Sequence, residues 1–316
     1  MLFDVITFGS AFYDTYLLSD EFLLQKQKDG VMLCQRYGKK ITIDTYVVTT
    51  GGGATNAAVC FERLALQAGI IACVGRDHWG AIVRAKLEEE GVSLVHIQGS
   101  AQKMTSSSVA LVGSDGGRTI LVHRGASNLL SKKQVDWDRL HAKWFYVSSL
   151  GGDIAFLEQV IEEASKKQIL VACNPGNGEL KKKSSFKKLL PKMEVLLLNL
   201  QEAQTLLGQT EIKPESVFDL GVGLVVITDG RRGSKVYTSD REIISQKAFK
   251  AKAKEETGAG DAFGSAFVAG RIHGLSVKTA LQLAALNAAS VVRQIGPKEG
   301  LLFWPDAQRK LAKLQK

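Results

Sequence analysis

Short apolar runs, each bounded by turn signals, recur through the chain and constrain its fold more than any other feature. They read DVITF from Asp4, IIACV from Ile70, WFYV from Trp144, ILVAC from Ile169, VLLL from Val195 and LVVI from Leu224. Runs this short and this uniformly apolar suit strands buried on both faces, as in a parallel sheet covered by helices. Helical periodicities fill the gaps. Between Ala57 and Ala68 the positions Ala58, Phe61, Leu64, Ala65 and Ala68 form one stripe, and Ile154–Lys167 and Leu275–Val292 behave alike. The alternation predicts a three-layer α/β/α, Rossmann-like arrangement around a parallel sheet.

Two stretches break the rhythm. Val31–Val48 reads as two strands around Gly38-Lys39-Lys40, and Ser107–Val122 as a hairpin around Asp115-Gly116-Gly117. Both are β-branched and half polar, which predicts a small antiparallel sheet appended to the large one. No repeat, low-complexity segment or Pro/Ser-rich linker divides the 316 residues, so one domain spanning residues 1–316 is expected.

The formal net charge is +9, which raises the question of a polyanionic partner. The lysines responsible cluster at Lys181–Lys183, Lys187–Lys188, Lys250–Lys254 and in the C-terminal tail. Runs of this kind read as solvated faces, and no nucleic-acid-binding module accompanies them. The cysteines Cys34, Cys60, Cys73 and Cys173 lack metal-binding spacing and read as reduced. With no signal peptide and no membrane-length apolar run, the expected location is the cytoplasm, with neither nucleic acid nor membrane as partner.

The chemistry concentrates in glycine-rich stretches that lead into helices. In EETGAGDAFGSAFVAG, Glu255 to Gly270, small residues let backbone N–H groups converge where the helix dipole is positive. Such a spot suits an anion. Asp261, itself anionic, stands either beside that pocket as a proton acceptor or simply as a helix N-cap. TTGGGATNAAVCFERL, from Thr49, also precedes a helix but carries Asn56, whose amide matches a hydroxyl array better than a phosphate. Gly51-Gly52 leaves room for a ligand against the backbone. Asn199 and Glu202, in NLQE after the strand VLLL, form either a cap with a first-turn acid or a water-mediated site for a hard divalent cation. Neither a Walker A loop nor GxGxxG spacing is present.

Taken together, these stretches resemble the ribokinase-like (PfkB) family of carbohydrate and nucleoside kinases across nearly the whole chain. TGAGDAF at Thr257–Phe263 is similar to the family's anion hole and catalytic aspartate, GGGATNAA at Gly51–Ala58 to its sugar-side signature, NLQE to its N-x-x-E motif and ITDGRRGS at Ile227–Ser234 to its nucleotide-side turn. The resemblance implies a ribokinase-like fold whose antiparallel segments, about residues 12–48 and 97–125, form a lid. It implies Asp261 as general base and the N–H groups of Gly258, Ala259 and Gly260 as anion hole. Asp14, Gly51, Gly52 and Asn56 would bind acceptor hydroxyls. Asn199, Thr228, Gly230 and Asn287 would line the nucleotide, with Asn287 near adenine, and Glu202 would order Mg²⁺ through water.

The sequence departs from the family where Glu255-Glu256 replaces Asp-Thr. Glu255 takes the place of an acid that helps bind a monovalent cation such as K⁺, and Glu256 adds a negative charge close to the expected phosphates, which is unfavourable unless it points outward. Arg118 and Arg124, in or next to the second hairpin, stand either as solvated charges or as groups that reach the acceptor or the γ-phosphate. The function implied is ATP-dependent phosphorylation of a hydroxymethyl group on a small sugar such as ribose or fructose. The alternatives are a nucleoside kinase, with Phe12, Tyr13 and Tyr16 available as aromatic faces, and a non-catalytic sensor of sugar or nucleotide. A homodimer through the lid is also compatible with the family.

Overall fold

The computed structural model describes residues 2–28, 30–94, 96–115 and 117–314. The expected strands assemble into an eight-stranded sheet. Phe3–Phe8 lies between Ala68–Ile71 and Ala142–Val147; Leu170–Cys173, Val195–Asn199 and Leu224–Thr228 follow outward, all parallel. Ser234–Thr238 and Ile243–Gln246, unanticipated from the sequence, close that edge in antiparallel register.

Residues 195–198 show why the inner strands are apolar throughout. Val195 and Leu197 point into one core, with helices Gly53–Arg63, Ala259–Ile272 and Val277–Val291; Leu196 and Leu198 point into the other, with helices Ile154–Lys166 and Leu200–Leu207. Both faces are covered, so neither set of side chains tolerates a polar group. The layers are therefore α/β/α, as expected.

Several boundaries differ from the reading of the sequence. The helix expected over Ala57–Ala68 runs over Gly53–Arg63. Ala65 then turns left-handed at φ 60°, which ends the helix and releases Ala68 to begin a strand. The run IIACV is divided between two sheets: Ala68–Ile71 joins the large one, and Cys73–Gly75 pairs with Gln98–Ser100.

The small sheet has the order Arg118–His123, Ser106–Val112, Phe12–Leu18, Thr45–Gly51. The expected hairpin at Ser107–Val122 is present as Ser106–Val112 against Arg118–His123; the expected turn residue Gly116 lies outside the described residues. The strands expected around Gly38-Lys39-Lys40 do not pair with each other. Gly30–Cys34 pairs with Leu23–Gln27, while Thr45–Gly51 pairs with Phe12–Leu18. Nor is this sheet purely antiparallel, because Phe12–Leu18 and Ser106–Val112 run parallel. Strand pairing across long loops follows from packing, here around buried Tyr16, Ala110 and Val112, and local propensity carries little of that information. No described helix is long and apolar enough to cross a membrane.

Candidate active site

Helix Ala259–Ile272 begins close to the carboxyl ends of Val195–Asn199 and Leu224–Thr228, where open α/β sheets collect ligands. Its tight seating is enforced by Gly264, where a Cβ would fall 2.8 Å from the Tyr146 hydroxyl and 2.9 Å from Leu197 Cδ1. Gly258 caps the helix in left-handed conformation at φ 77°. Among the described residues the N–H groups of Gly258, Gly260 and Asp261 donate no hydrogen bond, and that of Ala259 reaches the Glu256 carbonyl only at 3.4 Å. Unspent donors at a helix start make a cup able to meet an anion.

Asp261 stands at the rim of this cup. Its Oδ2 accepts a 2.8 Å hydrogen bond from the Asn56 amide nitrogen. Burial pushes its pKa above the ordinary carboxylate value, while the Asn56 bond and the charge of Lys298 hold it back. Asn56 therefore orients the acid, a contact not anticipated from the sequence. Its own Oδ1 is buried without a partner among the described residues.

The acceptor-side glycines are shaped by their neighbours. A Cβ on Gly51 would sit 1.7 Å from Asp14 Oδ2, and Gly52, at φ 98°, approaches the Ser10 carbonyl closely enough that a Cβ would fall 2.5 Å from it. Asp14 is buried, accepts a 2.6 Å bond from the Ser108 hydroxyl, and has a pKa raised by burial. Nearby, the loop after the last long helix docks onto the same strand. Thr49 donates to Glu299 Oε1 at 2.8 Å, and the Lys298 ammonium donates to both the Thr50 carbonyl and, at 2.8 Å, the Thr50 hydroxyl. Burial lowers the Lys298 pKa to about 8. No local pattern in the sequence marks this lysine for burial.

On the nucleotide side a cleft of about 650 Å³ opens beside the helix start. Asn199, Thr228, Gly230 and Gly260 line it, and its apolar end is built from Phe249, Phe263, Ala285, Ala288 and Val292. Asn287 is a correction. It is fully buried, donates to the Ala262 carbonyl at 2.9 Å and accepts from Leu302 N–H at 2.9 Å. Its side chain ties two elements together behind the cleft wall, and the small residues Ala285, Ala288 and Ala289 present that wall instead.

Asn199 and Glu202 form a reciprocal capping box: Glu202 Oε2 accepts from Asn199 N–H at 2.8 Å, and Asn199 Oδ1 from Glu202 N–H at 2.9 Å. Both line the end of the cleft that contains Asp261. Burial raises the Glu202 pKa, opposed by the Asn199 N–H and reinforced by the charge of Asp261. Among the described residues no group of three or more His, Cys, Asp or Glu side chains is placed to hold a metal directly. A Mg²⁺ carried on phosphates and reached through water fits this donor set; a protein-chelated ion does not.

The remaining sequence features separate. Arg118 lines the cleft, whereas Arg124 lines another cavity of about 90 Å³ with Phe12 and Ser127. Glu255 is buried and pairs with Arg118; exposed Glu256 does not turn away from the site but lines the cleft and makes a loose 3.7 Å contact with Arg231. Tyr16 is buried in the small sheet, and Tyr13 packs on Trp79 at 4.2 Å, so neither is a free platform for a base.

This fold, with a nucleotide-sized cleft ending at a helix start, is that of phosphotransferases acting on small alcohols. The chain belongs to the pfkB family of carbohydrate kinases, whose profile matches residues 3–302, and it is an ATP-dependent kinase of the sugar and nucleoside class. It is 27% identical over 273 residues to a ribokinase of Haemophilus influenzae, covering 84% of this chain and 88% of that one. It is 24% identical over 253 residues to a nucleoside kinase of Methanothermobacter thermautotrophicus, covering 79% and 81%. The structure of Arabidopsis thaliana ribokinase complexed with ribose and ATP shares the fold at a TM-score of 0.81 and 23% identity, covering 98% of this chain and 99% of that one.

Proposed function

We propose that the protein transfers the γ-phosphoryl group of ATP to a hydroxymethyl group of a small sugar, with Asp261 as general base. The observation that carries this reading is the pairing of one oriented carboxylate with a cup of unspent N–H groups, Asp261 held by Asn56 at 2.8 Å. Phosphoryl transfer needs little covalent help from a protein; it needs alignment and charge neutralisation. Backbone donors at a helix start are already oriented, so stabilising charge on the moving phosphoryl group costs little reorganisation. Asp261 accepts the proton of the attacking hydroxyl, and burial, which raises its pKa, makes the ionised carboxylate a stronger base.

Asp14, the backbone at Gly51-Gly52 and Asn56 Oδ1 bind the acceptor hydroxyls. Asn199 and Glu202 would hold the waters of Mg²⁺, which when bound would neutralise phosphate charge. Thr228 and Gly230 line the nucleotide. The small sheet closes over the acceptor as a lid and excludes water, and its exposed Tyr46, Leu121 and Val122 support pairing of two copies through it. Burial of Tyr16 and the engagement of Tyr13 by Trp79 withdraw two of the three aromatic faces offered to a nucleoside base and leave Phe12, which lines the smaller cavity with Arg124.

The test is ATP consumption across pentoses, hexoses and nucleosides, repeated with Asp261→Asn. A sugar should be turned over by the native protein, and the variant should lose several orders of magnitude in turnover while still binding ATP. A nucleoside as the sole acceptor would overturn the substrate class, and undiminished turnover by Asp261→Asn would overturn the base assignment.

A further inference from the structure

The residue ahead of the anion hole has a partner that the sequence did not reveal. Glu255 is 1% exposed, and its Oε1 accepts from Thr257 N–H at 2.6 Å and from the Thr257 hydroxyl. The same oxygen lies 3.0 Å from Arg118 Nε. Arg118 belongs to the edge strand Arg118–His123 of the small sheet. It also lines the nucleotide cleft with Asn199, Thr228 and Gly260, and the base end with Asp261. One guanidinium thus touches the loop that carries the anion hole and borders the space where phosphates belong.

The family resemblance implies a monovalent cation on the acid that Glu255 replaces. The donor set here does not fit one. Oε1 already accepts two hydrogen bonds from Thr257 and lies 3.0 Å from the full positive charge of Arg118, and a metal ion on the same carboxylate would stand against that charge at contact range. Glu255 Oε2 is buried with no partner among the described residues. Arg118 meets this carboxylate at Oε1 alone, through Nε, and it is this fixed positive charge, not a bidentate fork, that stands where an ion would otherwise sit.

We propose that Arg118 supplies from the small sheet the positive charge that a monovalent cation would otherwise bring, tying the lid to the anion-hole loop through Glu255 and making the enzyme independent of K⁺. Arg118 is in this sense a positioning residue. It fixes the carboxylate that holds Thr257, and Thr257 leads directly into Gly258-Ala259-Gly260. The inference rests on the kinase reading above for what the anion hole binds.

The test uses the full chain and two readouts, each in potassium chloride and in tetramethylammonium chloride at equal ionic strength. One is affinity for the Mg²⁺ complex of a non-hydrolysable ATP analogue by calorimetry; the other is steady-state turnover of the best acceptor. Native protein should behave alike in both salts. Arg118→Met should lose roughly ten- to hundredfold in analogue affinity or turnover, as expected for removal of a charge-assisted contact, and Arg118→Lys should recover part of the loss. A native protein strongly activated by potassium would overturn the proposal, as would an Arg118→Met variant indistinguishable from native. Should no acceptor be turned over, the kinase reading fails separately, and the calorimetric arm still decides the role of Arg118.

Discussion

Gly258 and Gly260 sit two residues apart in the same turn, yet substituting them should have opposite consequences. A Cβ on Gly258 would fall 2.4 Å from Pro297 Cβ and 2.7 Å from its Cα, on a backbone held at φ 77°. The left-handed conformation costs a side chain about 1–2 kcal/mol, and crowding a packed contact adds about 1–3 kcal/mol. Gly258→Ala should therefore lose roughly 2–5 kcal/mol of stability. At Gly260 a Cβ meets nothing within 4 Å, because the space there is the cleft. Its backbone is helical, so Gly260→Ala should keep or slightly raise stability, by up to about 1 kcal/mol. Gly260→Val, however, would place a branched side chain against the donors of the anion hole. Each N–H lost to a phosphate oxygen is worth about 1.5–3 kcal/mol, so ATP affinity or turnover should fall roughly ten- to hundredfold. Thermal unfolding read beside nucleotide calorimetry separates the two effects. A Gly260→Val protein that binds ATP normally, or a Gly258→Ala protein as stable as native, would refute the placement of the phosphate cup.

Other consequences follow from the same geometry. Asn56→Leu removes the hydrogen bond that holds the Asp261 pKa down. Since the base must be ionised, the acidic limb of the turnover profile should move to higher pH, as a pH–rate series would show. Gly51→Ala, with its Cβ 1.7 Å from Asp14 Oδ2, should displace Asp14 from Ser108 and raise the acceptor KM about tenfold or more while leaving ATP affinity unchanged. Burial raises Glu62 to about 7 although its carboxylate accepts from Ala68 N–H at 2.6 Å. The unfolded chain ionises this group first, so its contribution is present below about pH 4.5 and is lost as pH rises through about 7. Glu62→Gln, which keeps an acceptor for Ala68, should flatten that loss and gain about 1 kcal/mol at pH 8, measured by denaturant titration after discounting for solvent screening.

Much of the large sheet was readable because burial on both faces demands uninterrupted apolar runs, and Val195–Leu198 or Leu224–Ile227 have no other reason to be so uniform. The glycine turns before helices were readable for a similar reason: Gly258 and Gly52 hold positive φ and touch neighbouring backbone or ring atoms, which no other residue does without strain. Asn287 shows where reading by position fails. Its neighbours Ala285, Ala288 and Ala289 face the cleft, but a helix turns 100° per residue, and Asn287 faces the core instead.

The sequence alone thus determined the layered fold and the glycine-rich helix start at Asp261, since both depend on local periodicity or on backbone conformations peculiar to glycine. Tertiary structure alone decided which groups meet across the chain. Asn56 reaches Asp261 over 205 positions and Lys298 reaches Thr50 over 248, and Arg118 crosses from the small sheet to Glu255. Such pairings are set by how sheets and loops close on one another in space, a long-range consequence of burial that leaves no periodic trace in a single chain.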